Sequence, residues 1–133
     1  MSAKSFDEVA ERFRQLRFDE QFDMIVAIAN GGIIPAAIIN QRLGIEINLL
    51  KISLRDANQK PMYDSPLLVE EIGFDCRNKK ILLVEDRVKT GATLNYAKSL
   101  LSKEASLVKT FAVNGTADYC LYDEECFRFP WII

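Results

Sequence analysis

Residues 80–94, KILLVEDRVKTGATL, constrain this chain more than any other stretch. Ile81, Leu82, Leu83 and Val84 form an unbroken apolar run that ends on an acidic pair, Glu85 and Asp86. Thr90-Gly91-Ala92-Thr93 follows, and after it a helical pattern. A short continuous apolar run suits a parallel strand buried on both faces. Carboxylates at the carboxyl end of such a strand stand where open α/β sheets take up ligands. A glycine turn that opens a helix offers unpaired backbone N–H groups and the positive end of the helix dipole to an anion. The stretch therefore predicts a phosphate held by the turn and a polyhydroxylated or metal-bound group held by the acids.

The rest of the chain supplies the elements that such a strand needs around it. Ser5-Phe6-Asp7-Glu8 reads as a capping box, and Phe6, Val9, Ala10, Phe13 and Leu16 recur at helical spacing behind it. Residues 24–29 are a second buried-strand run and end on Asn30-Gly31-Gly32, where two glycines permit close approach of backbone to a ligand. The helix that follows has Pro35 near its first turn and Gly44 as its stop signal. Residues 45–54 read as a third strand, with Ile47 and Leu49 at alternate positions. Residues 55–77 are polar and broken by Pro61 and Pro66, the pattern of a long binding loop or lid with a short ribbon near 67–71. A helix over about 92–103 and strands at 107–113 and 119–122 complete the series. Strands alternating with helices predict an α/β fold, a doubly wound parallel sheet flanked by helices, in a single domain spanning 1–133.

Composition removes whole classes of function. With 133 residues, 49% of them hydrophobic and 27% charged, and a net charge of -2, the chain is an ordinary globular domain without the basic excess that a nucleic-acid partner requires. It contains no histidine, which excludes His-ligated metals and Ser-His or Cys-His nucleophile systems. The three cysteines, Cys76, Cys120 and Cys126, lack metal-ligand spacing. The first 17 residues are charged and amphipathic rather than leader-like, so a reducing, cytoplasmic setting is expected. No apolar run approaches the ~18 residues of a membrane span.

LLVEDRVKTGAT, taken with IVAIANGGIIPAAIINQRLG, resembles the type I phosphoribosyltransferase family, whose signature is an apolar strand, two adjacent acids and a Thr-Gly-x-Thr turn. The likeness extends over residues 22–131. ISLRDANQK and the ending YCLYDEECFRFPW are similar to the xanthine–guanine-type purine enzymes.

The resemblance implies a small C-terminal hood, a homodimer, and transfer of 5-phosphoribosyl from phosphoribosyl pyrophosphate to a nitrogenous, purine-like acceptor with release of pyrophosphate. The same fold without catalysis would bind a nucleotide or phosphoribosyl pyrophosphate for regulation. It further implies that Glu85 and Asp86 hold the ribose hydroxyls, with Mg²⁺ nearby, and that Thr90, Gly91, Ala92 and Thr93 wrap the 5′-phosphate. Asn30 and Gly31 would lie against the pyrophosphate, Lys60 would neutralise it, and Trp131 would cover the face of the base.

Two positions depart from the purine pattern. Lys89 stands in the catalytic loop where the oxopurine enzymes carry an acid that contacts the base, and a protonated lysine is a donor only. It is expected to meet a phosphate or an acidic substrate group. Val113, followed by Asn114, stands beside the base where those enzymes carry a carbonyl-reading lysine.

Overall fold

A computed structural model describes residues 2–53, 67–68 and 71–133. Its elements, in chain order, are β1 (Ser2–Ala3), α1 (Phe6–Gln15), β2 (Met24–Ala29), α2 (Ile33–Leu43), β3 (Glu46–Ser53), β4 (Leu67–Leu68), β5 (Lys80–Arg87), α3 (Ala92–Ser102), β6 (Leu107–Asn114), β7 (Tyr119–Tyr122) and β8 (Phe127–Arg128). The main sheet runs β4-β3-β2-β5-β6-β7. β4 pairs antiparallel with β3, and the other five strands are parallel. The expected doubly wound sheet is therefore present. From β2 the chain first moves outward to β3, then returns to place β5 on the other side of β2. The carboxyl ends of β2 and β5 flank the point where strand order reverses, which is where such sheets bind ligands.

The apolar runs fold as their composition dictates. Every residue of Met24–Ala27 and Ile81–Val84 is 0% exposed. Ile25, Ala27, Leu82 and Val84 belong to the core under α1 and α2, whereas Met24, Val26, Ile81 and Leu83 belong to the core under α3. Opposite directions of winding, each right-handed, put α2 and α3 on opposite faces. In β3, Leu50 and Ile52 are buried, while Ile47 and Leu49 are exposed. The reason is that α2 packs over β2 and β5, which leaves that face of β3 uncovered.

Local signals operate as expected at the helix ends, with one difference. Ser5 Oγ accepts a hydrogen bond from the Glu8 N–H at 3.1 Å, the first half of the capping box. The Glu8 carboxylate, however, lies 3.5 Å from the Lys4 ammonium, so an ion pair takes the place of the reciprocal bond. At the other end of α1, the Arg42 guanidinium donates to the carbonyls of Phe13 at 2.8 Å and Leu16 at 2.6 Å, satisfying acceptors that a helix terminus leaves open. Gly44 ends α2 at φ 61°, a left-handed cap.

Sequence patterning did not anticipate β1, which pairs in parallel with β8. Lys4 holds this small sheet in place: its ammonium is 2.8 Å from Glu124 and lies over the rings of Tyr122 and Phe127. Chain start and chain end thus form one cap, the expected hood. Of the ribbon expected near 67–71, β4 is described; the remainder of the loop, including Lys60, lies outside the described residues. Cys76 is buried, Cys120 and Cys126 are exposed, and all three are free thiols. Among the described residues no helix is long and apolar enough to cross a membrane.

The tightest point of the fold is Gly32, where a Cβ would stand 2.3 Å from the Val84 carbonyl oxygen and 2.9 Å from that of Ile28. At Gly73 a Cβ would meet nothing within 4 Å. Gly32→Ala should therefore lower stability by about 1–3 kcal/mol through overpacking against β5. Gly73→Ala should leave it within ~0.5 kcal/mol. Urea unfolding midpoints of the two variants check the contrast.

Candidate active site

β5 does not stop before the acidic pair. It continues through Glu85 and Asp86 to Arg87, paired with β6 as far as Asn114, so the acids are fixed by the sheet rather than carried on a loop. Glu85 Oε1 accepts from the Asp86 N–H at 2.9 Å, and Asp86 Oδ1 accepts from the Arg87 N–H at 2.6 Å. Backbone donors therefore orient both carboxylates. Burial, reinforced by the hydrogen bond and like charge of Asp86, pushes Glu85 up to about 9.

The turn after β5 is built for an oxyanion. Gly91 takes φ 85° at the start of α3, a conformation that favours glycine, and no side chain caps the helix. Thr90 Oγ1 accepts from the Ala92 N–H at 3.2 Å, which ties the turn to the first residue of the helix. Glu85, Arg87, Val88, Lys89, Thr90, Gly91, Ala92, Thr93 and Leu94 line a single cavity of about 350 Å³ or less, measured at ≈ 290 Å³. Its wall thus joins one of the two acids to the whole phosphate turn.

The loop after β2 reaches the same place from the other side. A Cβ on Gly31 would lie 2.6 Å from the Asp86 carboxylate, so this backbone rests directly on the second acid. Asn30 is exposed beside it. The structure thus brings together Asn30, Gly31, Glu85, Asp86, Lys89 and Thr90 to Thr93.

Two residues expected at the base are not part of this cluster. Val113 is 0% exposed and packs in the core under α1 and α2, because it alternates along β6 with Phe111 on the covered face of the sheet. This corrects its assignment to a base contact. Trp131 stacks on Phe129 with ring centroids 5.2 Å apart. It lines a different cavity, an apolar one between α1 and α2 with Phe13 and Ile38. The aromatic tail packs on itself and on the helices, so Trp131 is not in the wall of the acidic pocket.

Asn114 and Arg87 were missed in the sequence. Asn114 is 3% exposed, and its side chain donates to the carbonyls of Glu124 at 3.2 Å and Glu125 at 3.3 Å while accepting from the Glu124 N–H at 3.0 Å. Its own carbonyl accepts from the Val88 N–H at 2.9 Å, so one residue ties the hood to the phosphate loop. Arg87 donates to the Phe127 carbonyl at 2.7 Å and lies over the Phe129 ring at 4.9 Å. The available signal was a cation directly after the acids in an otherwise apolar strand.

Adjacent carboxylates beside a phosphate cradle suit a Mg²⁺ ion, which binds one or two carboxylates and completes its shell with substrate oxygens and water. No cluster of three or more acid, cysteine or histidine side chains exists among the described residues, so these side chains alone form no closed cation cage. The acid pair also makes stability pH-dependent. With Glu85 near 4.5 unfolded and about 9 folded, its contribution is fully present below 4.5 and is lost as pH rises toward 9. Glu85→Gln should flatten that decline, giving a higher melting temperature than the parent at pH 8 and a smaller gap at pH 5.

The comparisons with known proteins agree with this architecture. A family model described as phosphoribosyl transferase domain matches residues 2–116. The xanthine-guanine phosphoribosyltransferase of Desulfotalea psychrophila is 39% identical over 122 residues, covering 83% of this chain and 70% of that protein. Among solved structures, the purine phosphoribosyltransferase from Pyrococcus horikoshii superposes with a TM-score of 0.79 at 24% identity, over 98% of this chain and 92% of that one. A hypothetical protein from Neisseria gonorrhoeae with bound ppGpp superposes with a TM-score of 0.80 at 18% identity, over 99% of this chain and 89% of that one. At those identities the likeness to the two structures is one of fold. The family match spans the strand, turn and helix that build the pocket, and on it the conclusion rests: this chain belongs to the phosphoribosyltransferase family.

Proposed function

We propose that the chain transfers 5-phosphoribosyl from phosphoribosyl pyrophosphate to a nitrogenous, purine-like acceptor and releases pyrophosphate. The observation that carries the reading is the junction of the strand-end acids with the glycine turn, braced from the far side by Gly31. In this reading the N–H groups and hydroxyls of Thr90 to Thr93 bind the 5′-phosphate. Glu85 and Asp86 accept hydrogen bonds from the ribose hydroxyls and hold Mg²⁺. Asn30, Gly31 and Lys60 lie along the pyrophosphate. When bound, Mg²⁺ supplies positive charge to the leaving oxygens.

The reaction needs little covalent help. An acceptor nitrogen attacks C1 of the ribose, the C1–O bond to pyrophosphate breaks, and pyrophosphate leaves with the electron pair. The acceptor then gives up its N–H proton to solvent. Charge builds on the ring as an oxocarbenium-like centre, beside carboxylates that backbone N–H groups already orient. The protein contributes position and electrostatics.

Exposed apolar side chains on one flank, Ile33 and Ile34 in α2 and Leu49 in β3, support a homodimer. The absence of membrane-spanning helices among the described residues is consistent with the cytoplasmic setting expected for this chemistry.

A second reading is a regulatory protein that binds a nucleotide or phosphoribosyl pyrophosphate without turnover. Lys89, a donor in the place of an acid, favours it, as does the ppGpp bound to the Neisseria relative of the fold. Calorimetric titration with phosphoribosyl pyrophosphate and Mg²⁺ should show binding, weakened ~10-fold or more by Asp86→Asn or Thr90→Ala. Pyrophosphate release with one member of a panel of bases supports the transferase; binding without release across the panel supports the regulatory protein. Because Lys89 blocks proton acceptance from an oxopurine, Lys89→Asp should gain or raise turnover of guanine, xanthine or hypoxanthine. An unchanged base profile would place Lys89 away from the acceptor.

A further inference from the structure

Two cations line the cavity that holds the phosphate turn, and neither is absorbed by the sugar-phosphate chemistry. Arg87 and Lys89 flank Val88 in its wall. Lys89 is exposed. Arg87 is fixed: one terminal nitrogen donates to the Phe127 carbonyl at 2.7 Å, and the guanidinium lies over the Phe129 ring at 4.9 Å. Its Nε is shielded from solvent and has no hydrogen-bond partner. A charged donor left unpaired away from water is costly, and an acceptor or anion brought close to it relieves that cost.

The acid in the same wall, Glu85, is turned to its own strand, where it accepts from the Asp86 N–H at 2.9 Å. The helix N-terminus at Ala92 accounts for one anionic group of a ligand, the phosphate. Arg87 and Lys89 then leave the wall with capacity for a second. The hood carries the Phe127 carbonyl that anchors Arg87, so the guanidinium stands where the hood meets the acid-bearing strand. That is the side of the ribose on which an acceptor ring has to lie.

We propose that Arg87 and Lys89 form an acceptor-reading subsite that selects a ring bearing negative charge, either an ionised oxo group or a carboxylate, over a neutral ring. The inference rests on the phosphoribosyltransferase reading and adds the substrate class to it. It also gives the departure at Lys89 a purpose, because a donor-only side chain suits an anionic ring edge and is wasted on a neutral one.

The test compares ribose 5-phosphate with three nucleoside 5′-monophosphates by titration calorimetry at pH 8. Xanthosine monophosphate carries an ionised oxo ring, orotidine monophosphate a ring carboxylate, and inosine monophosphate a neutral ring. The wild type should bind one or both anionic-ring nucleotides about 10- to 100-fold more tightly than inosine monophosphate. Which of the two is preferred tells the ionised oxo group from the carboxylate. Lys89→Leu and Arg87→Leu should each reduce that preference about 10-fold or more and leave ribose 5-phosphate affinity unchanged. Arg87→Leu also removes a hood contact, so the exposed Lys89 variant separates recognition from folding.

If ribose 5-phosphate binds but all three nucleotides bind equally, or inosine monophosphate binds best, the inference is overturned and the family reading stands. A preference that survives in Lys89→Leu and Arg87→Leu overturns it as well. If ribose 5-phosphate itself fails to bind, the reading beneath it falls and the inference falls with it.

Discussion

The site depends on a backbone contact that leaves no room for a side chain. The loop after β2 lies on the end of β5, with Gly32 against the Val84 carbonyl and Gly31 against the Asp86 carboxylate. Two parallel strands at the point of reversed order would otherwise hold their loops apart by the width of at least one side chain. Removing both Cβ atoms closes that gap. It also sets the second acid against the strip of backbone to which the proposed function assigns the leaving group. The glycines that sequence reasoning treats as an invitation to a ligand are thus, in the first place, the condition for packing one half of the site on the other.

The contact explains why so much of the sugar-phosphate half was legible in the sequence. Strands buried on both faces must read as continuous apolar runs, and Met24–Ala29 and the Ile81–Val84 run fold with no exposure over most of their length. Gly91 must follow the acids if a helix is to start with its N–H groups turned toward them. Each feature is local, carried by adjacent residues, and each has few alternatives. The end of β5 was less legible, because charged residues inside a strand look like loop residues until the pairing with β6 is known.

The acceptor half was less legible for the same physical reason in reverse. It is assembled from contacts between residues far apart in the chain. Asn114 holds the hood at Glu124 and Glu125, Arg87 holds it at Phe127, and Lys4 holds it from the chain start. None of these partners announces itself by spacing. Val113 looked available because its position was compared with a family pattern, yet strand alternation turns it into the core. Trp131 looked like a base platform because it is aromatic and terminal, yet it finds Phe129 and the α1–α2 cavity first. In their place the fold offers two cations on the strand and loop that carry the phosphate turn.

The most direct test of the account is a crystal structure of the protein with a nucleoside 5′-monophosphate bound. The phosphate should sit on the N–H groups of Gly91 to Thr93, the ribose hydroxyls on Glu85 and Asp86, and the ring beside Arg87 and Lys89 under the hood. A phosphate bound elsewhere, or a ribose turned away from the two acids, would contradict it.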